Sequence, residues 1–323
     1  MNLRPSTIWA RWVLALIVPI AVAGAEPAAD ATPGAAAPEV AAPAPPAEPT
    51  PPRVTFLGYS AETPPRALRQ AVEAYRAGNF YLAYVLLSDA LAAEPPIEGL
   101  RPDGWFYLGE TCLEVGMPEA ALPNFWKVID AGRGTRNPFY DWALLEVARV
   151  NHRWKEYGAV ASLFERYGVT AESPQEYVYL LGTALLSLKS YQSGADLLDT
   201  LAFAGPYYPF GQFEIAQLHY AQGDTEAALD RLENAIRAPG PTGGALLLRE
   251  RARLVKGLVL YDAKRYEEAI DAFYDLGPRS PEFWNGRLGI AWCYIKLQDF
   301  PLAIAYLDEI VEARPAERAY AKA

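Results

Sequence analysis

Side chains that most often carry chemistry are scarce here: two cysteines, two histidines and two methionines in 323 residues. Cys112 and Cys293 could pair as a disulfide, act as thiolate nucleophiles or bind a soft metal. They are 181 positions apart and each lies on an apolar helical face, so packed thiols are expected. His152 stands beside Arg153-Trp154 and His219 before Tyr220, neither with a second His or Cys at ligand spacing. Gly132-Arg133-Gly134 has the glycines of a phosphate-binding turn but no strand before it. No nucleophile elbow, Walker lysine or acidic metal loop occurs. The pairs Glu267-Glu268 and Asp308-Glu309 read as solvated charge on exposed helix faces. No catalytic residue, metal ligand or cofactor site emerges, and no enzyme is expected.

With little chemistry to position, the elements themselves become the informative part. Lys and Arg number 29 against 39 Asp and Glu, a net charge of −10 that argues against a nucleic-acid partner. Arg4 and Arg11 precede an uncharged run from Trp12 to Val22 and a small-residue site, Ala23-Gly24-Ala25. That order predicts an export signal over 1–25. Cleavage would leave a periplasmic chain with no transmembrane segment; without cleavage, the segment would anchor the chain in the inner membrane. Residues 26–53 hold ten Ala and nine Pro in 28 positions, a composition that cannot close a helical ladder or fill a core. A disordered linker is expected over 26–60, a helical body over 61–316 and a short tail over 317–323.

From Pro64 onward apolar residues recur every three or four positions, broken by Gly or polar turns. Aligning the segments exposes a repeated unit. Its clearest copies are Trp105-x-x-Leu108-Gly109-x-x-Cys112-x3-Gly116-x4-Ala121-x3-Phe125 and Gly257-x-x-Leu260-x8-Ala269-x3-Phe273. A third runs Ala291-x-x-Tyr294-x8-Ala303-x3-Leu307-x7-Pro315. The small residue at the helix crossing falls at Ala83, Ala121, Val160, Gly194, Ala228, Ala269 and Ala303. Loop insertions are expected at Ile97–Pro102, Gly132–Asn137 and Pro239–Gly244. The third copy, with Asn151 and Val160, fits the pattern least well.

This pattern resembles the tetratricopeptide repeat, a helix-turn-helix unit. The resemblance implies an all-α, right-handed α-solenoid of about seven units whose first helices line a concave groove. Carried over to this chain, groove positions fall on Leu68, Val72, Tyr75, Phe106, Glu110, Arg149, Tyr179 and Leu186. They continue with Phe213, Gln217, Tyr220, Leu258, Tyr261, Trp292 and Ile295. Members that clamp acidic peptide tails use Lys, Arg and Asn there, whereas these positions are mainly apolar and aromatic. A partner helix or extended segment is the better fit. Signal, linker and repeats together imply a scaffold or adaptor in a bacterial cell-envelope complex: secretion, surface polymer export, outer-membrane assembly, pilus or motility machinery. A carrier of a lipid or other hydrophobic small molecule is the alternative. Ile304, Leu307, Ile310 and Val311 leave the last unit apolar, to be covered either by a short frayed cap from residues 316–323, the simpler reading, or by self-association or a partner.

Overall fold

A computed structural model describes residues 58–132, 139–239 and 243–313. The expected signal, the linker up to residue 57, residues 133–137 and 240–242 of two expected insertions, residue 138, the last three residues of the expected helical body and the tail lie outside the described residues. Among the described residues there are fourteen helices and no strand. They are α1 (Arg66–Arg76), α2 (Phe80–Ala92), α3 (Asp103–Glu114), α4 (Pro118–Gly132), α5 (Phe139–Arg153), α6 (Tyr157–Tyr167), α7 (Gln175–Ser187) and α8 (Tyr191–Asp199). Then come α9 (Tyr208–Ala221), α10 (Thr225–Arg237), α11 (Gly243–Asp262), α12 (Tyr266–Tyr274), α13 (Phe283–Lys296) and α14 (Phe300–Ala313). None is long and apolar enough to cross a membrane. The helices divide between two compact units, α1–α8 in one and α9–α14 in the other.

Each odd-numbered helix packs on the even-numbered helix after it, giving seven hairpins. One turn chemistry builds all seven. The residue closing the first helix is left-handed in every case: Gly78, Gly116, Lys155, Lys189, Gly223, Lys264 and Gln298, with φ from 61° to 83°. The next amide reaches back five residues, from Asn79 to the Ala74 carbonyl through to Asp299 and Tyr294, always at 2.8–2.9 Å. This is the Schellman closure, which satisfies a carbonyl that the helix end would otherwise orphan. Asn79, Asp224 and Asp299 then cap the second helix, accepting from Leu82, Ala227 and Leu302 N–H at 3.1–3.3 Å.

Five residues after each left-handed residue comes the small one at the crossing. Lys155 therefore fixes Val160 as the crossing residue of the least regular copy, and Val160 is fully buried. The glycines of the motif face large partners. A Cβ on Gly109 would lie 2.6 Å from the Phe125 ring, one on Gly182 2.6 Å from Leu198, and one on Gly257 2.3 Å from Phe273. No methyl group fits at those distances, so the ring or isobutyl group takes the space. Aromatic side chains also staple the turns: Tyr75 to Phe80 at 5.4 Å, His152 to Tyr157 at 5.3 Å and Tyr261 to Tyr266 at 5.5 Å between centroids.

Within each unit the first helices also touch one another in succession: α1, α3, α5 and α7 in one, α9, α11 and α13 in the other. Each unit therefore has a continuous layer of first helices, with the second helices set behind it. No single hairpin could bury its apolar faces alone, and stacking is what completes the core.

Candidate interaction surface

In residues 58–202 the first-helix layer is more interior than expected. Leu68, Val72 and Phe106 are fully buried, and Tyr75 and Leu186 nearly so. They are packing residues in this structure rather than open lining, because adjacent first helices are close enough to interdigitate. Phe106 alone meets Tyr107, Phe125 and Phe139 with centroids 4.8–5.8 Å away. Tyr179 remains half-buried.

Glu110 and Arg149 are brought into a cluster that motif spacing did not reveal. Arg149 Nε donates to Glu176 Oε1 at 2.6 Å, and its other nitrogens donate to Glu146 and to the second oxygen of Glu176. Tyr75 donates its hydroxyl to Glu110 at 3.5 Å. The side chains of Arg149, Glu146 and Glu176 are 9%, 2% and 11% exposed. Burial alone would lower the Arg149 pKa, but Glu176, Glu146 and Glu110 together hold it above the ordinary arginine value. Three carboxylates thus share one guanidinium, with members from α3, α5 and α7. Glu146, one turn before Arg149, was the readable half of this signal; Glu176, 27 positions on, was not. Beside the cluster, His152 Nε2 lies 3.0 Å from Thr183 Oγ1, and burial depresses its pKa.

In residues 203–313 the layer divides differently. Phe213 and Leu258 are buried, whereas Tyr220, Tyr261, Trp292 and Ile295 keep partial exposure on three successive first helices. Tyr220 donates its hydroxyl to Asp262. Gln217 is only 7% exposed, and its Oε1 has no hydrogen-bond partner. One turn away, the half-buried Glu214 has its carboxyl pushed up to about 7 by desolvation. Arg251 Nη1 meets Glu282 Oε1 at 2.7 Å with 13% and 5% of the side chains exposed, a balanced buried pair. The last helix has one buried residue, Ala303, and exposes Phe300, Leu302, Ile304 and Leu307. Its anchor is Arg287, whose guanidinium carbon lies 4.8–5.6 Å from the ring centres of Phe283, Tyr306 and Tyr274.

Cys112 and Cys293 are both buried free thiols, as packed residues should be. Burial raises the pKa of each, Cys293 to about 12 with a contribution from Glu267, so neither is a thiolate near neutral pH. Among the described residues no group of three or more His, Cys, Asp or Glu side chains is placed to hold a metal ion.

The architecture is therefore that of a helical-hairpin repeat protein. Two tetratricopeptide repeat families match it, over residues 213–281 and 260–323, and this C-terminal stretch is a tetratricopeptide repeat array. No curated protein matches the chain. Among solved structures it is similar to a MamA double mutant, with 17% identity over 66% of this chain and 94% of that one, at a TM-score of 0.37. It is similar also to the APC/C hetero-tetramer Cut9–Hcn1, with 18% identity over 77% of this chain, 46% of that one and a TM-score of 0.43. The TPR domain of P58(IPK) is matched at 15% identity over 77% and 83% of the two chains, TM-score 0.28. Repeats of this kind are in general protein-interaction scaffolds, presenting stacked helices rather than a reactive centre.

Proposed function

We propose that the chain is a non-catalytic adaptor of a bacterial cell-envelope complex, exported by its N-terminal segment, and that it holds a partner helix or extended segment along its first helices. The observation that carries the surface assignment is the partial exposure of Tyr220, Tyr261 and Trp292 on α9, α11 and α13 of one unit. Half-exposed aromatic side chains on a rigid layer supply contact area at small entropic cost, the usual make-up of a binding hot spot. The expected export signal and Ala/Pro-rich segment support the location, and the apolar α14 supports a second contact with a partner or another copy.

A photo-reactive residue at Tyr220, Tyr261 or Trp292, introduced singly in the native cell, should crosslink one and the same partner. Tyr261→Ala and Trp292→Ala should abolish its co-purification while leaving the helical signal unchanged. Crosslinks only from second-helix positions such as Val85 or Tyr274 would overturn the surface assignment. Intact mass of the protein from the envelope fraction should begin at Glu26, and a chain recovered only from the cytoplasm would overturn export.

A further inference from the structure

Just before the first repeat, three residues without regular structure are tied to the repeats. The Ser60 N–H donates to Asp103 Oδ2 at 2.8 Å and the Ser60 hydroxyl to Asp103 Oδ1 at 2.6 Å. Tyr107 donates its hydroxyl to the Gly58 carbonyl at 2.7 Å. Between these bonds the Tyr59 ring sits 6.4 Å from the Tyr107 ring, with the Arg76 guanidinium 5.9 Å from its own centre. These are contacts of recognition: a backbone donor, a backbone acceptor, a hydroxyl and an aromatic ring each have a dedicated partner, on α1 or α3. With the segment in place Asp103 is 1% exposed, and each of its carboxylate oxygens accepts a bond from Ser60. When the segment leaves, the Asp103 carboxylate, the Tyr107 hydroxyl and the Arg76 guanidinium are uncovered together, a set able to take the same backbone, hydroxyl and aromatic groups from another segment. Burial raises the Asp103 pKa against the lowering effect of the two Ser60 bonds, in keeping with a carboxylate that has lost most of its water.

We propose that the face formed by Arg76, Asp103 and Tyr107 is a receptor for an extended peptide segment with an aromatic residue followed by Ser or Thr, occupied in this chain by its own Gly58-Tyr59-Ser60. The cis segment has two effects. It fixes where the Ala/Pro-rich stretch leaves the repeats, and it keeps this receptor closed to any other segment of the same chemistry. The inference is independent of the partner reading above, since a partner crosslinked at Tyr261 would leave it untouched.

The test uses the full chain and a fluorescently labelled peptide of residues 56–63. A Tyr59→Ala, Ser60→Ala chain should bind the peptide at least about tenfold more tightly than the unaltered chain, where the cis segment competes at a high effective concentration. Adding Tyr107→Phe, which keeps the ring and removes the hydroxyl, should weaken that binding about threefold to tenfold. Amide exchange at Ser60 should be slow in the unaltered chain and faster at the same position in the double variant, with exchange in α1–α4 unchanged. Equal peptide affinity for both chains, or fast exchange at Ser60 in the unaltered chain, would overturn the proposal. No peptide binding by a double variant that retains its helical exchange pattern would do the same.

Discussion

In residues 58–202 the first-helix layer buries Glu110, Glu146, Arg149 and Glu176, three carboxylates around one guanidinium. In residues 203–313 the first-helix layer buries Phe213, Leu254 and Leu258, its buried pair Arg251–Glu282 is balanced, and Tyr220, Tyr261 and Trp292 keep partial exposure. Yet the turns of the two regions are alike, down to the left-handed residue and the 2.8–2.9 Å closure. The hairpin is set by turn geometry and by a small residue at the crossing, and the interior of the layer is free to be ionic or apolar. The contrast also bears on where the family resemblance is detectable. Both repeat families match from residue 213 onward, in the unit whose first-helix layer is the apolar one.

The sharpest way to break the comparison is to remove the central cation. Arg149→Met should cost about 3–5 kcal/mol, because it leaves buried carboxylates without their donor. Arg265→Met, which breaks bonds to the exposed Glu226 and Glu268, should leave the melting temperature unchanged. Chemical denaturation of both variants checks this, and equal losses would mean that the cluster is no more than a surface network.

The next effect lies in the other region and in its pH dependence. Glu214 has a folded pKa of about 7, above the ordinary 4.5. A raised carboxyl favours folding while protonated, so its stabilisation is complete below about 4.5 and is lost as pH rises through about 7. Glu214→Gln should therefore match the unaltered chain near pH 4 and exceed it at pH 8, by up to about 3 kcal/mol. Stability curves at several pH values decide it, and a gain independent of pH would contradict the desolvation account.

Smaller still is the packing term common to both regions. Gly109→Ala and Gly257→Ala should each cost about 1–3 kcal/mol, since Phe125 and Phe273 occupy the space of the added methyl. Similar losses on the two sides would support a common crossing, and a loss on one side alone would show that the hairpins differ after all. Last come the turns. Lys155→Gly, Lys189→Gly, Lys264→Gly and Gln298→Gly should each stabilise by about 0.5–1 kcal/mol, as left-handed backbone strain is relieved against a modest gain of chain freedom. Thermal melts of the single variants would show it, and destabilisation would mean that those side chains make contacts outweighing the strain.

Much of the architecture was legible because its determinants are local. Helical periodicity, a turn residue and a small residue five positions later all lie within one hairpin, so even Val160 could be located from spacing. The surface was less legible. Leu68, Val72 and Phe106 carry the residue types of an exposed apolar lining and yet are buried, because adjacent first helices touch, which spacing within one repeat does not report. Glu176 joined Arg149 from the following repeat, and Ser60 joined Asp103 across 43 positions.

The amino-acid order by itself determined the hairpins and their register, along with the absence of recognisable catalytic motifs, since each depends on residues within a few turns of one another. Only the tertiary structure decided which first-helix residues are interior, which charges share a buried cluster, and that Gly58-Tyr59-Ser60 lies on α1 and α3. Those outcomes depend on distances between neighbouring hairpins. A solenoid sets such distances by stacking, and no single repeat contains them.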